Sequence, residues 1–305
     1  MDKKQFSYGG QAVLEGVMMR GQHQATVAVR DPSGEIAYKH FPLDVQKRAR
    51  WERLPLIRGV VLLWDTLNLG TRALNFSAGV VSGEQEAFSK KTSIGAMLVA
   101  LAFAVGLFFV TPLLLASLSG YLGASLLLRE ILEGGVRLAL VVGYVVLVGR
   151  IPEIQRVFGY HGAEHKTVNA YEAGSPLTVA SVRHCSLIHP RCGTSFLVVV
   201  VVISFGVFLL LGGLPLWVRV LSRVVLVPLI AAGAYELLRL LATHYHRPWV
   251  RVLAAPALFF QKLTTREPDD LMIATAIAAL RPVLAADGVV VQEKPRDDPM
   301  LAVSA

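Results

Sequence analysis

Five consecutive residues carry the densest chemistry in the chain: His161-Gly162-Ala163-Glu164-His165. On a helix, positions 161 and 165 fall on one face, so two imidazoles can grip one divalent cation. Glu164, beside that face, is placed to take a proton from a water that the cation has acidified. The order H-x-x-E-H is the reverse of the H-E-x-x-H helix of zinc proteases. These residue types point to metal-assisted hydrolysis, with zinc the expected metal and Glu164 the expected catalytic base. An ion pair of Glu164 with Lys166 or a loop arginine is the plainer alternative.

Two imidazoles do not complete a zinc shell, so further donors are needed. His189 and Cys192, in His189-Pro190-Arg191-Cys192-Gly193-Thr194, supply an imidazole and a thiolate, and both suit zinc. Cys192 precedes an apolar stretch whose helix would present its positive end and favour the thiolate. The competing role for this string is a plain helix start with Thr194 as cap. Glu236 falls inside a predicted apolar helix, where a carboxylate is costly unless it faces a partner. Zinc peptidases of the inverted motif take a third ligand from a downstream Glu, and Glu236 stands well downstream of His165. An ion pair with Arg239 is its alternative role. His184 and Cys185 rank lower, because sequence neighbours tend to point apart, and His244 and His246 belong at the lipid headgroups. The expected ligands are therefore His161, His165, His189, Cys192 and Glu236. If His161, His165, His189 and Cys192 all bind, the shell is closed and the metal structural. Without a metal, Cys192 becomes a nucleophile with His189 or His165 as its base.

The elements that must position these groups are read from composition and periodicity. The chain is 54% hydrophobic and only 17% charged, with mean hydropathy +0.53, where soluble domains carry about 25% charge. No charged residue occurs between Lys91 and Arg129 or between Arg191 and Arg219, and each stretch exceeds the roughly 20 residues needed to cross a bilayer. The reading is an all-α polytopic membrane protein of about four transmembrane helices, with a small β-containing N-terminal segment. The predicted spans are Ile94 to Ser119, Gly134 to Gly149, Thr194 to Leu211 and Leu216 to Thr243. The second reaches across only if Arg137 snorkels to the interface.

Six regions follow. Residues 1–50 form a β-rich segment in which 25–30 and 35–41 alternate around the turn sequence Asp31-Pro32-Ser33-Gly34, a hairpin signal. Residues 51–93 carry a basic stretch and an amphipathic helix from Leu56 to Leu74 lying on the membrane surface. Residues 94–149 are the first transmembrane hairpin, 150–193 the metal-motif loop with a helix from Glu153 to Glu172, and 194–243 the second hairpin. Residues 244–305 hold surface helices, a re-entrant or surface segment at Val252 to Phe260 broken by Pro256, a short helix from Leu271 to Leu280, and a loose tail. The string Gly9 to Gly21 contains four glycines. It reads as a compact turn region or a ligand loop in which Glu15 and Arg20 could face the metal loop.

Net charge +8 and a pI near 9.7 admit nucleic-acid binding, but basic loops beside membrane helices explain them better, so no nucleic-acid partner is expected. Lys and Arg collect before residue 94, between 150 and 193, and after 239. The positive-inside rule therefore assigns both termini and the metal loop to the cytosolic side of the inner (cell) membrane. No signal peptide is read at the N-terminus. Two cysteines in one loop argue against a disulfide framework. The expected partners are the bilayer and a peptide or lipid-linked substrate, and a homo-oligomer is compatible with the sequence.

Four strings, GGQAVLEGVMMRG at 9–21, YHGAEHKTVNAYE at 160–172, HPRCGTSF at 189–196 and QKLTTREPDD at 261–270, together resemble the YqhQ-like bacterial membrane family, the domain-of-unknown-function family DUF1385. The resemblance runs from about Gly9 to Leu280. It implies a membrane protein labelled as a metal-dependent enzyme, and it leaves Cys185 outside the shared pattern. The combined expectation is a membrane protein with a metal site on its cytosolic face acting as a hydrolase. The rival is a non-enzymatic scaffold, regulator or small-solute transporter pinned by structural zinc.

Overall fold

The computed structural model describes residues 6–44, 57–83 and 90–289. The basic stretch Lys47 to Arg53 and the expected tail over the last dozen residues lie outside the described residues.

Four strands, β1 (Gly9–Val13), β2 (Gly16–Arg20), β3 (Gln24–Arg30) and β4 (Ile36–Pro42), form an antiparallel meander in the order β1-β2-β3-β4. The β3–β4 hairpin turns where the sequence reading puts it. Asp31 Oδ1 accepts the N–H groups of Ser33 and Glu35, both at 2.9 Å, and Gly34 takes φ +93°. The glycine-rich string 9–21 is a second hairpin, with Glu15 at its turn holding φ +50°, a region a non-glycine residue seldom adopts. Strand alternation gives the sheet two apolar faces. Val17, Met19 and Ala28 belong to one buried cluster, and Val13, Met18, Val27 and Val29 to another.

Eleven helices follow among the described residues: α1 (Ile57–Ser82), α2 (Lys90–Val105), α3 (Thr111–Leu118), α4 (Leu126–Val148), α5 (Pro152–Glu172), α6 (Val179–Arg183), α7 (Ser195–Leu209), α8 (Leu216–Val225), α9 (Val227–Thr243), α10 (Pro248–Thr264) and α11 (Asp270–Ala286). Helices α5 and α11 cover the first face of the sheet, while α1 covers the second with Leu69 and Ala73. The strands and the metal-motif helix are thus one packed layer. Helix α1 runs two turns beyond the expected Leu74 and lies between the sheet and α9, so it packs against protein on both sides.

The apolar layer differs from the expected four spans. Among the described residues two helices are long and apolar enough to cross a bilayer: Lys91–Leu122, which runs through α2, a π-helical turn at Gly106–Val110 and α3, and α4 at Leu126–Val148. A third counts only if α8 and α9, bent by 51° at Leu226, are taken as one span. The expected unbroken helix from Leu216 to Thr243 is interrupted where Pro228 removes a backbone donor. Helix α7 has 15 residues, about 22 Å at 1.5 Å per residue, short of the roughly 30 Å core of a bilayer. Helix α4 begins eight residues before the expected Gly134. Charge at 129–133 reads as a helix boundary in sequence, yet Glu130 and Glu133 are buried inside the helix on partners described below.

Helix α11 is the largest revision. It is no surface helix, and it extends through Pro282 to Ala286 rather than ending at Leu280. Nearly every residue from Met272 to Leu284 is buried between the sheet and α5. Its alanines let it sit close, and Ile273, Ile277, Leu280 and Leu284 each contribute about 1.5–3 kcal/mol of apolar burial. Asp269 caps it by accepting the N–H of Met272 at 2.8 Å. Val252 to Phe260 is likewise helical, within α10. The loop joining α10 and α11 presses on α5 so tightly that a Cβ on Gly162 would lie 2.1 Å from the Arg266 carbonyl oxygen. Gly162→Ala is therefore expected to cost about 1–3 kcal/mol or more, read as a lowered Tm. Gly9→Ala, with no atom within 4 Å of its added Cβ, is the control expected to leave Tm in place.

Candidate metal centre

Helix α5 starts at Pro152, where the missing N–H costs nothing, and from Gly159 onward it is almost wholly buried. That burial makes its polar side chains answerable for every hydrogen bond. His161 and His165 lie on one face with ring centroids 4.4 Å apart. His161 Nδ1 is 2.8 Å from the Thr264 carbonyl oxygen at the end of α10, and His165 Nδ1 is 2.5 Å from the Leu187 carbonyl oxygen. A carbonyl only accepts, so each Nδ1 carries the proton and donates. Each Nε2 then presents a lone pair. His161 Nε2 lies 3.2 Å from Cys192 Sγ, and one donor atom from each of His161, His165 and Cys192 lies within 4.8 Å of the other two. Zinc bonds of 2.0–2.3 Å in a tetrahedron place neighbouring donors roughly 3.3–3.7 Å apart, so small side-chain shifts fit these three to one ion. The observation that speaks for an ion is His165 Nε2. It is buried and has no hydrogen-bond partner among the described residues, a state costly for a polar atom unless something meets it.

The Cys192 sulfur is also held in place. The Thr194 backbone N–H (3.4 Å) and hydroxyl (3.1 Å) both address Sγ, as outer-shell donors do around ligating thiolates. Thr194 therefore does not cap α7 with its side chain, which makes no capping hydrogen bond. Two amides not singled out in the sequence lock the loop that carries these groups. Gln261 of α10 accepts the His189 N–H at 3.1 Å and donates to the His189 carbonyl at 2.8 Å and the Ser195 hydroxyl at 2.9 Å. Asn169, two turns past His161 on α5, donates to the carbonyls of Ser186 and Ile188 at 2.8 and 3.1 Å. Both lie within strings quoted for the resemblance, which was the one available signal.

Glu164 is buried, its Oε2 3.6 Å from His165 Nε2, and its Cγ packs where a Cβ on Gly10 of β1 would be 3.0 Å away. The glycine string thus roofs this carboxylate with bare backbone. Lys166 is taken up elsewhere, by Glu267 at 2.5 Å and the Arg183 carbonyl at 2.6 Å. His189 is near but apart from the three converging donors. Its ring is 5.8 Å from that of His165, and its Nε2 is buried without a hydrogen-bond partner, 3.5 Å from a Glu172 oxygen. Burial pushes the His189 imidazole below its usual range, opposed by the charge of Glu164, so it is neutral at pH 7.

Glu236 is not among the converging donors. Its carboxylate accepts Nε of Arg58 at 2.6 Å and also Nη2, tying α9 to α1. The cost of a carboxylate in an apolar helix is met there by a guanidinium, so the expected ligand role gives way to this ion pair. Arg20 pairs with Asp65 of α1. Glu15 does reach α5: it binds Arg156 through both oxygens and accepts the Tyr160 hydroxyl at 3.3 Å. The Arg156 hydrogen bonds hold its carboxyl below the ordinary value. Cys185 donates to the Ser181 carbonyl and packs on the core, outside the donor group.

A family model described as a protein of unknown function (DUF1385) matches residues 54–286. The uncharacterised protein YqhQ of Bacillus subtilis (strain 168) is 35% identical, over 91% of this chain and 92% of that protein. No solved structure gives a significant match.

Two outcomes follow from this geometry. Asn169→Ala and Gln261→Ala remove no donor atom, yet each is expected to weaken binding of added Zn(II) about 10–100-fold, measured by competition with a chromophoric chelator. His189 supplies a pH effect of definite sign. The unfolded chain takes up its proton near the ordinary value of about 6.5 and the folded chain resists it, so stability is full above that value and falls as pH drops through it. Melting curves of metal-free protein between pH 8 and pH 5.5 are expected to show this loss, and His189→Asn to flatten it.

Proposed function

The chain belongs to the DUF1385 family, whose description assigns no activity. From that premise, we propose that it is a membrane-associated, metal-dependent hydrolase whose divalent ion, zinc by the chemistry of the donors, is held by His161, His165 and Cys192. The observation that carries this reading is the buried, unmet Nε2 of His165, with its Nδ1–H committed to Leu187 and the donor atoms of His161 and Cys192 beside it. Three protein donors leave the fourth tetrahedral position open, as catalytic zinc sites do. When bound, the ion would supply Lewis acidity that makes a water a competent nucleophile at neutral pH.

The chain's own groups account for the rest. Glu164, 3.6 Å from His165 Nε2, is the base that takes the water's proton. The neutral imidazole of His189 stands within reach of the Glu164 field and offers a second proton-handling group. The carbonyls of Thr264 and Leu187 keep both ligating rings in one tautomer. The sheet screens Glu164 from bulk water at Gly10. With basic residues clustered on the α5 side of the apolar helices, the site faces the cytosolic surface of the cell membrane in a multi-pass chain with both termini inside. The substrate class is a peptide or lipid-linked molecule arriving at that surface.

One observation favours a second reading. His189 Nε2 is also buried without a hydrogen-bond partner, and moving it inward would close the shell around a structural ion in a scaffold, regulator or small-solute transporter.

Elemental analysis of detergent-purified protein is expected to find one divalent ion per chain, absent from both His161→Ala and His165→Ala. Metal in all three proteins, or in none, removes the proposal. Spectra of cobalt-substituted protein separate the two readings: loss of His189 alters the ligand field only if the shell is closed. Glu164→Gln is expected to keep the metal and lose about 10²–10⁴-fold of any hydrolysis of ester or peptide probes shown by wild type.

A further inference from the structure

A second cluster of charge lies inside the apolar helices, at the other end of α4 from the metal-type donors. Glu130, Glu133 and Arg137 share a face of α4, and Arg219 and Arg223 share a face of α8. All five are buried, with at most 4% of each residue exposed. Glu133 is the hub. Its carboxylate accepts Arg137 Nη2 at 2.6 Å, Arg223 Nη2 at 2.7 and 2.8 Å, and Arg219 Nη2 at 3.3 Å, while Glu130 accepts Arg219 Nη2 at 2.7 Å.

The charges do not balance. Three guanidinium groups, which stay protonated in proteins, meet two carboxylates, so the cluster carries one excess positive charge. Dipoles soften it without cancelling it. The Phe108 carbonyl, in the π-helical turn, accepts Arg137 Nε at 3.0 Å, Ser204 Oγ accepts Nη1 at 3.1 Å, and the Phe208 ring lies 5.1 Å from the Arg137 guanidinium and 3.9 Å from that of Arg223. Arg219 Nε, in a residue 4% exposed, has no hydrogen-bond partner among the described residues. An unmatched cation and an unused donor at one place call for an anion.

We propose that this cluster is a binding site for one monoanionic phosphate group, that of a phospholipid headgroup, with Arg219 as its principal contact. Depth supports a lipid source. Glu130 and Arg219 lie within a few residues of the starts of α4 and α8, about 4.5–6 Å below those helix ends at 1.5 Å per residue. Trp217 and Tyr121, close in sequence to those helix starts, are highly exposed, and aromatic side chains mark the headgroup boundary. The N-termini of α4 and α8 add their positive dipole ends. The site shares no residue with the His161, His165 and Cys192 group, so it stands or falls apart from the hydrolase reading.

The test is lipid binding by the full chain in neutral detergent, followed by native mass spectrometry with phosphatidylglycerol, phosphatidylcholine of equal chain length, and inorganic phosphate. Wild type is expected to retain one phosphatidylglycerol in preference to phosphatidylcholine, and not to respond to inorganic phosphate. Arg219→Gln neutralises the excess charge and is expected to weaken phosphatidylglycerol binding about tenfold, whereas Glu130→Gln adds to the excess and is expected to tighten it about tenfold. Both variants break the same Arg219–Glu130 bond, so a purely structural network would move both in one direction, and that result overturns the proposal. Equal retention of the two lipids overturns it as well, and binding of inorganic phosphate without lipid overturns the lipid source. If Arg219→Gln does not fold, tighter binding by Glu130→Gln is the required result, and its absence counts against the site.

Discussion

Two ring nitrogens on α5 impose the constraint around which the rest is arranged. A buried imidazole has two polar corners, and the protein commits one from each of His161 and His165 to a fixed carbonyl. The remaining corners then point into a common space that holds the Cys192 sulfur. Those carbonyls must be rigid, which explains why Thr264 ends a helix and why the loop carrying Leu187 is tied by Asn169 on one side and Gln261 on the other. The same burial requires something to cover α5, and the N-terminal sheet and α11 do so. Gly162 and Gly10 are where backbone comes too close for any side chain. The site and the core of this layer are therefore one construction.

The apolar layer meets a related problem with a different solution. A charge inside an apolar helix is costly unless it faces a partner, and each carboxylate here meets a guanidinium across helices: Glu236 meets Arg58, Glu130 meets Arg219 and Glu133 meets Arg223. These pairs do the orienting that apolar contact alone does poorly. Helix α7 is apolar at nearly every position, and Ser204 on it is fixed by Arg137. The π-helical turn releases the Phe108 carbonyl to the same arginine. A second polar hub, remote in sequence and chemistry from the histidines, thus organises the opposite end of α4.

Legibility tracked the range of the interaction. The α5 helix, the hairpin at Asp31 to Gly34 and the pairing of His161 with His165 depend on residues within a turn of one another, and they were readable. The bend at Leu226 was missed although Pro228 signals it, because a single proline in an apolar run is compatible with a kink or a boundary. Helix α4 was shortened because Glu130 and Glu133 looked like an end. Apart from Arg137, four residues on from Glu133, their partners are more than eighty residues away, and nothing local announces those. Glu236 was assigned to the metal for the same reason: a costly carboxylate needs a cation, and sequence does not say which.

By itself the amino-acid order determined that two imidazoles and a carboxylate would share a helix, that a long uncharged segment would seek an apolar environment, and that strands would precede both, since periodicity and propensity act over a few residues. Only the tertiary arrangement decided that Cys192 rather than Glu236 joins the histidines, that the glycine-rich hairpin roofs Glu164, that Asn169 and Gln261 hold the loop, and that an alanine-rich C-terminal helix forms the core rather than the surface. Each of those outcomes depends on which distant group satisfies a buried polar atom or covers an apolar face. That choice is made by packing in three dimensions, where separation along the chain carries no information.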